Sequence, residues 1–262
     1  MKIGVIQLCS SLEYKENLGK IQGFIDEAID KSVQAIFLPE CFYSMSDGRK
    51  PTPYLINEGN DHYENIRNLA LKNSIFILGG SAATLDEEGN IVNRCYNFSP
   101  SGHDLGIYDK INLFSCALKK GDETKVINEG DIYSPGKSLN LIEAEDLKIG
   151  LSICFDLRFP NMFREYALKG ANVLTIGSAF TVPSGKAHWH TLVRARAIEN
   201  QCFVVAPAQW GKHNDKISTY GHSLVVDPWG EVLCDAQEGE SLSVCQLDLS
   251  KIQKVRDSIK VF

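Results

Sequence analysis

Short runs of residues that are apolar on both faces recur along this chain, and segments with helical apolar spacing separate them. That alternation is the strongest constraint on the fold. A strand without a polar face must lie in a covered sheet, and the intervening helices supply the cover. Residues 2–8 (KIGVIQL), 35–38 (AIFL), 75–80 (IFILGG), 148–154 (KIGLSIC), 172–176 (NVLTI) and 203–208 read as strands of this kind. Leu18, Ile21, Ile25, Ala28 and Ile29 share one helix face, with Ser10 or Ser11 as the cap, and 62–73, 161–169 and 188–200 read as further helices. The turn residues of 86–90 and 227–230 predict hairpins, so the sheets should be mixed. A last strand at 242–247 and a short helix from Ser250 complete the α/β pattern.

At 262 residues and 44% hydrophobic, the chain can bury a large core without disulfides or metals. There is no linker, repeat or low-complexity tract, so one domain over 1–262 is expected. A net charge of −6 and a pI near 5.6 argue against nucleic-acid and acidic-membrane partners. No run approaches the roughly 20 apolar residues that span a bilayer, and the first apolar run is short for a signal peptide. The eight cysteines are scattered without a CxxC pair, as expected of reduced thiols in the cytoplasm.

Reactive residues at strand ends are the first candidates for chemistry, because ligands of α/β sheets bind there. Glu40 ends AIFLPE, Lys110 follows GIYD, and Cys154 ends KIGLSIC. A nucleophilic Cys needs a nearby cation, a base and donors for the oxyanion. Lys110 would lower the thiol pKa and hold the oxyanion, Glu40 would carry the proton, and the Phe155 N–H would be a second donor. Each residue alone also has a plainer reading: a small core thiol, a capping carboxylate, a surface charge. Other chemistries find little support. GxGxxG, GxxxxGK[ST], HExxH and GxSxG are absent, so neither cofactor nor metal is expected. His188 and His190 stand two apart on a helix and point in different directions, which makes them a poor metal pair.

Three strings change the weighing. LPECF with Glu40, YDKINLF with Lys110 and SICFDLRFP with Cys154 occur in order, and over nearly the whole chain the sequence resembles the nitrilase superfamily of carbon–nitrogen hydrolases. The resemblance implies a four-layer α-β-β-α sandwich with mixed sheets, a Glu-Lys-Cys triad and a homodimer or higher homo-oligomer. It also implies a second carboxylate six residues before the Pro of an SPG turn. Here that turn is Ser134-Pro135-Gly136, which gives Glu129; nearby Glu123 does not keep the spacing.

Within the family, 178–214 and 219–233 look most like the branch acting on deaminated glutathione. The implied reaction is hydrolysis of a small-molecule amide through a thioester, releasing 2-oxoglutarate and cysteinylglycine. An ω-amidase acting on 2-oxoglutaramate, a carbamoylase, a nitrilase and a catalytically silent scaffold are the alternatives. The substrate's carboxylates need cationic partners, and Arg158, Arg194 and Arg196 are the candidates, with Arg158 also able to brace the Cys154 loop. The chain ends at Phe262, short of the extended arm many relatives carry, so the geometry of assembly stays open.

Overall fold

The computed structural model describes residues 1–120 and 123–261, with side chains outside 117–127. The first half lays down β1 (Lys2–Gln7), α1 (Tyr14–Asp30), β2 (Ala35–Phe37), α2 (Asp61–Asn73), β3 (Phe76–Leu85), β4 (Ile91–Phe98) and β5 (Tyr108–Asp109). A ribbon follows, β6 (Ser115–Lys120) with β7 (Glu123–Asn128), which the sequence pattern did not signal. The second half contains β8 (Leu141–Ala144), β9 (Leu147–Ile153), α3 (Pro160–Leu168), β10 (Val173–Gly177), α4 (Val182–Asn200) and β11 (Phe203–Ala206). Then come β12 (Trp210–Lys212), β13 (Ser218–Tyr220), β14 (Leu224–Val226), β15 (Val232–Asp235), β16 (Ser241–Gln246) and α5 (Ser250–Ser258).

Two six-stranded mixed sheets result, in the orders β16-β1-β2-β3-β4-β5 and β15-β14-β11-β10-β9-β8. In each, three parallel strands carry the covered centre and antiparallel strands flank them. The period-2 alternation of each strand assigns its two faces. Val5, Phe37 and Leu78 point to one side and join Ile149, Leu151 and Val173 of the other sheet in a shared core. Ile6, Ile36 and Ile77 point the opposite way and meet Ile21 and Ile25 of α1 and Ile66 of α2. Phe163 of α3 and Val193 of α4 pack with the second sheet. The layers are therefore α-β-β-α, as the resemblance implied. Each fully buried aliphatic or aromatic side chain in these layers contributes roughly 1.5–3 kcal/mol.

Two element boundaries differ from the sequence reading. α1 is not capped by Ser10 or Ser11: Glu13 holds the N-cap position, and Ser11 Oγ accepts its N–H at 3.2 Å while donating to Glu16 at 2.9 Å. α4 begins at Val182, six residues earlier than expected, because a Pro in the first turn has no N–H that the helix would need.

At one point the sheets meet backbone to backbone. Gly79 adopts φ +75°, and a Cβ on Gly177 would lie 2.8 Å from Gly79 O and 3.3 Å from Glu40 N. That contact sets how closely the strand ends of the two halves approach.

Candidate active site

The strand ends bring together residues that are distant in sequence. Glu40 follows β2 at Pro39, Lys110 follows β5, and Cys154 follows β9. All three are buried, Lys110 to 2% exposure. Lys110 Nζ donates to Glu40 Oε1 at 2.8 Å and to Glu129 Oε1 at 3.0 Å, and its ion-pair distance to Glu129 Oε2 is 2.8 Å. The Cys154 thiol is buried beside them, where the charges of Glu40 and Lys110 both act on it. Four of the sequence candidates, Glu40, Lys110, Glu129 and Cys154, thus form one cluster.

Local backbone presents each group. Cys154 has φ +48°, left-handed backbone that a non-glycine residue holds only when its surroundings enforce it. The enforcement comes from Asp156, fully buried in the 3-10 turn Cys154–Arg158. Its carboxylate accepts the Ile153 N–H (2.9 Å) and the Tyr108 hydroxyl (2.7 Å) on one oxygen. On the other it accepts the Asn112 N–H (3.0 Å) and Nδ2 (2.8 Å). Tyr108 and Asn112 flank Lys110, so one buried Asp ties the thiol's turn to the ammonium's segment. Lys110 O accepts the Gly136 N–H (2.8 Å), and a Cβ there would fall 2.1 Å from Asp109 O. Only glycine fits, which explains why an SPG turn marks this site in sequence. Glu129 opens the 3-10 turn Glu129–Asp131, and its Oε2 accepts the Phe114 N–H at 2.7 Å. The side chain of Glu123 lies outside the described residues.

The electrostatics follow from burial. The Cys154 thiol is pushed well above its ordinary pKa by burial and then by the Glu40 charge, against Lys110 and the Ala179 N–H. Lys110 pulls the thiol pKa down, as expected, but burial and the Glu40 charge outweigh it. Burial, helped by the Glu129 charge, also raises Glu40 above its ordinary value despite Lys110. Burial opposes the charge on Lys110, yet Glu40 and Glu129 outweigh it and hold its pKa well above the ordinary value. The resting arrangement is a neutral thiol beside a carboxylate that a lysine partly compensates. A carboxylate so placed can accept the thiol proton.

The three arginines separate. Arg158 lies over the Phe155 ring (5.6 Å) and the Phe180 ring (5.4 Å), with Nη2 3.3 Å from His188 Nδ1. Phe155 and Phe180 adjoin Cys154 and Ala179, so this guanidinium stands one side chain away from the thiol's surroundings. Arg196 is not a free substrate partner. It is 5% exposed, its Nε and Nη2 both donate to Leu157 O (3.0 and 2.7 Å), and Nη1 bonds Glu199. Bracing the Cys154 turn therefore falls to Arg196 rather than Arg158. Arg194 donates to Gly230 O at 2.9 Å, in the turn between β14 and β15.

Sequence reading missed two polar residues here. Asp156 carried a signal, an acidic residue within the turn that ends a buried strand. Asn93 carried none: it lies mid-strand in β4, yet its Nδ2 donates to Glu40 Oε1 at 3.0 Å and reaches Glu129 Oε1 at 3.5 Å. Its O accepts the Lys110 N–H at 2.9 Å.

Comparison with known proteins extends the picture. The Carbon-nitrogen hydrolase family matches residues 2–257. The chain is 35% identical to a deaminated glutathione amidase of Dictyostelium discoideum, with 100% of this chain and 92% of that protein aligned. It is 34% identical to the human omega-amidase NIT2, over 100% of this chain and 93% of the other. Among solved structures, Saccharomyces cerevisiae Nit3, a member of branch 10 of the nitrilase superfamily, superposes with a TM-score of 0.87 at 30% identity, covering 100% of this chain and 94% of Nit3. The family match runs from the first strand into the last helix, and the superposition on Nit3 covers the whole chain, so the chain belongs to the carbon–nitrogen hydrolase family.

Proposed function

We propose that the chain is a single-domain, cysteine-dependent amidase in which Cys154 is the nucleophile. The observation that carries this reading is the shared lysine: Lys110 Nζ stands 2.8 Å from both Glu40 and Glu129, and the charges of Glu40 and Lys110 both act on the buried Cys154 thiol. Glu40 takes the thiol proton as Sγ attacks the amide carbon. Lys110 and the Phe155 N–H hold the oxyanion, with Glu129 orienting Lys110. Glu40 then returns the proton to the leaving nitrogen, and an amine departs from a thioester. Water, deprotonated by Glu40, attacks the thioester, and the carboxylic acid leaves as the thiol is restored.

The substrate reading is deaminated glutathione, cleaved to 2-oxoglutarate and cysteinylglycine, with Arg158 as the cation for a substrate carboxylate. The amidase-named relative of Dictyostelium discoideum supports it. The near-equal identity to human NIT2 favours 2-oxoglutaramate as the second reading. The eight free cysteines support a reducing, cytoplasmic setting, and no described helix is long and apolar enough to cross a membrane. A homodimer is the assembly proposed.

The test is a panel of deaminated glutathione, 2-oxoglutaramate, intact glutathione and a simple nitrile, assayed with wild type and Cys154→Ala. Expected is preferred turnover of the 2-oxo amides and loss of all turnover in the variant. Glutathione carries an ammonium where an uncharged oxo group is expected, so it should be a poor substrate. Equal turnover of glutathione, or of a nitrile with none on 2-oxo amides, would defeat the substrate reading. Substantial activity in Cys154→Ala would defeat the mechanism.

A further inference from the structure

Away from the triad, three side chains from separate elements converge. His190 lies on α4, His222 in the link between β13 and β14, and Asp235 ends β15. His190 Nε2 is 3.2 Å from Asp235 Oδ2, and His222 Nδ1 is 2.9 Å from Asp235 Oδ1. One donor atom from each of the three lies within 4.8 Å of the others. His190 thus finds its partners across the fold, not in His188.

We propose that His190, His222 and Asp235 bind a divalent transition-metal ion of the zinc type. The donor set is the first reason. Two imidazoles and one carboxylate suit zinc, cobalt or nickel, whereas magnesium and calcium select oxygen. Spacing is the second. With metal–nitrogen bonds of about 2.0–2.1 Å, neighbouring ligand atoms of a tetrahedral ion stand about 3.3 Å apart. The two imidazole–carboxylate separations, one to each oxygen of Asp235, lie close to that edge, and one donor from each residue falls within 4.8 Å of the others, so side-chain rotations that close this spread admit an ion. Preorganisation is the third. The His222 ring stacks on Tyr220 with centroids 4.4 Å apart, and its carbonyl accepts the Trp189 Nε1–H at 2.7 Å. Asp235 Oδ1 also accepts the Gln237 N–H at 2.9 Å. Exposure is the fourth: the side chains of His190, His222 and Asp235 are 37%, 15% and 20% accessible, which admits an ion and leaves room for water ligands.

On binding, the ion replaces the two imidazole–carboxylate contacts. Each ligating nitrogen offers its lone pair, and its ring proton resides on the other nitrogen, Nδ1 of His190 and Nε2 of His222. The ion would clamp α4 to the hairpin of β14 and β15. It shares no residue with the amide-cleaving cluster, and the inference stands whether or not the substrate reading holds.

Cobalt(II) and zinc(II) titrations of the full-length protein test it. Expected is one cobalt per chain, with visible d–d bands and no thiolate-to-cobalt charge-transfer band. His190→Gln and Asp235→Asn should each weaken cobalt and zinc binding by more than roughly 100-fold, beyond the 10–100-fold that loss of an outer-shell partner brings. His188→Gln should leave both affinities unchanged. Zinc should raise the melting temperature of wild type and not that of His190→Gln, because an ion that binds only the folded state stabilises it. His190 is partly exposed, so its variant keeps the test open if Asp235→Asn fails to fold. Absence of stoichiometric binding, a thiolate charge-transfer band, or His190→Gln binding cobalt like wild type would overturn the proposal.

Discussion

At the residue scale the proposed mechanism turns on Glu40. Its folded pKa is raised by burial and by the Glu129 charge, and a base works only when ionised. Activity should therefore rise with pH through that raised value, placing the acid limb of kcat/KM above the ordinary glutamate value of about 4.3. A limb at or below that value in the pH profile would contradict the assignment. The same sign governs stability. A carboxyl with a raised folded pKa holds its proton more tightly when folded, so its contribution is fully present below the unfolded pKa and is lost as pH rises through the folded one. Glu129 plays a different part. It touches Lys110 and the Phe114 N–H and not the thiol. Glu129→Gln should leave KM near wild type and lower kcat by about 10²–10³, the range for losing an oxyanion donor. Steady-state kinetics on a good substrate read this split, and a pure KM effect would argue that Glu129 binds substrate instead. Glu40, Lys110 and Cys154 were legible in sequence because each sits at a strand end in a recognisable string. Asn93 was not, because its contacts with Glu40 and Lys110 depend on strand pairing that no local pattern encodes.

For the elements, backbone contact between the sheets decides the site's width. β3 and β10 approach so closely at Gly79 and Gly177 that an added methyl would strike Gly79 O at 2.8 Å. Gly177→Ala should destabilise by about 1–3 kcal/mol, the usual cost of overpacking. It should also depress kcat/KM, since Glu40 N lies 3.3 Å from the same point. Thermal melts and kinetics on the purified variant check both, and a variant matching wild type in each would show that the sheets separate freely there. The strands were readable from their apolar runs, and α4 was readable over most of its length. Its first turn was not, because Val182-Pro183-Ser184-Gly185 has the composition of a loop. Tertiary contact decides it: Gly185 lies so near Tyr220 that a Cβ would meet the ring at 2.3 Å.

For the whole molecule, the ends of the chain close the first sheet. β16 pairs antiparallel with β1, from Lys2 opposite Gln246 to Gln7 opposite Ser241. β15, just before it, belongs to the other sheet, so residues 236–240 carry the chain between layers. A protein truncated after residue 240 would expose the edge of β1, with its unpaired N–H and C=O groups. It should lose cooperative melting and aggregate; a soluble truncation with an unchanged melting curve would show that the edge strand is dispensable. Sequence alone determined which segments are buried strands, which helices cover them, and that a thiol, an ammonium and two carboxylates occupy strand ends and turns. Those features are local: periodicity, turn chemistry and short strings are written in neighbouring residues. Tertiary structure alone decided that Asp156 joins the turn of Cys154 to the segment of Lys110, that Arg196 rather than Arg158 braces that turn, and that burial raises the thiol's pKa against the pull of Lys110. It also brought His190 to His222 and Asp235. The reason is physical: pKa values and buried hydrogen bonds depend on desolvation and on partners tens of residues away, and only the packed layers define either.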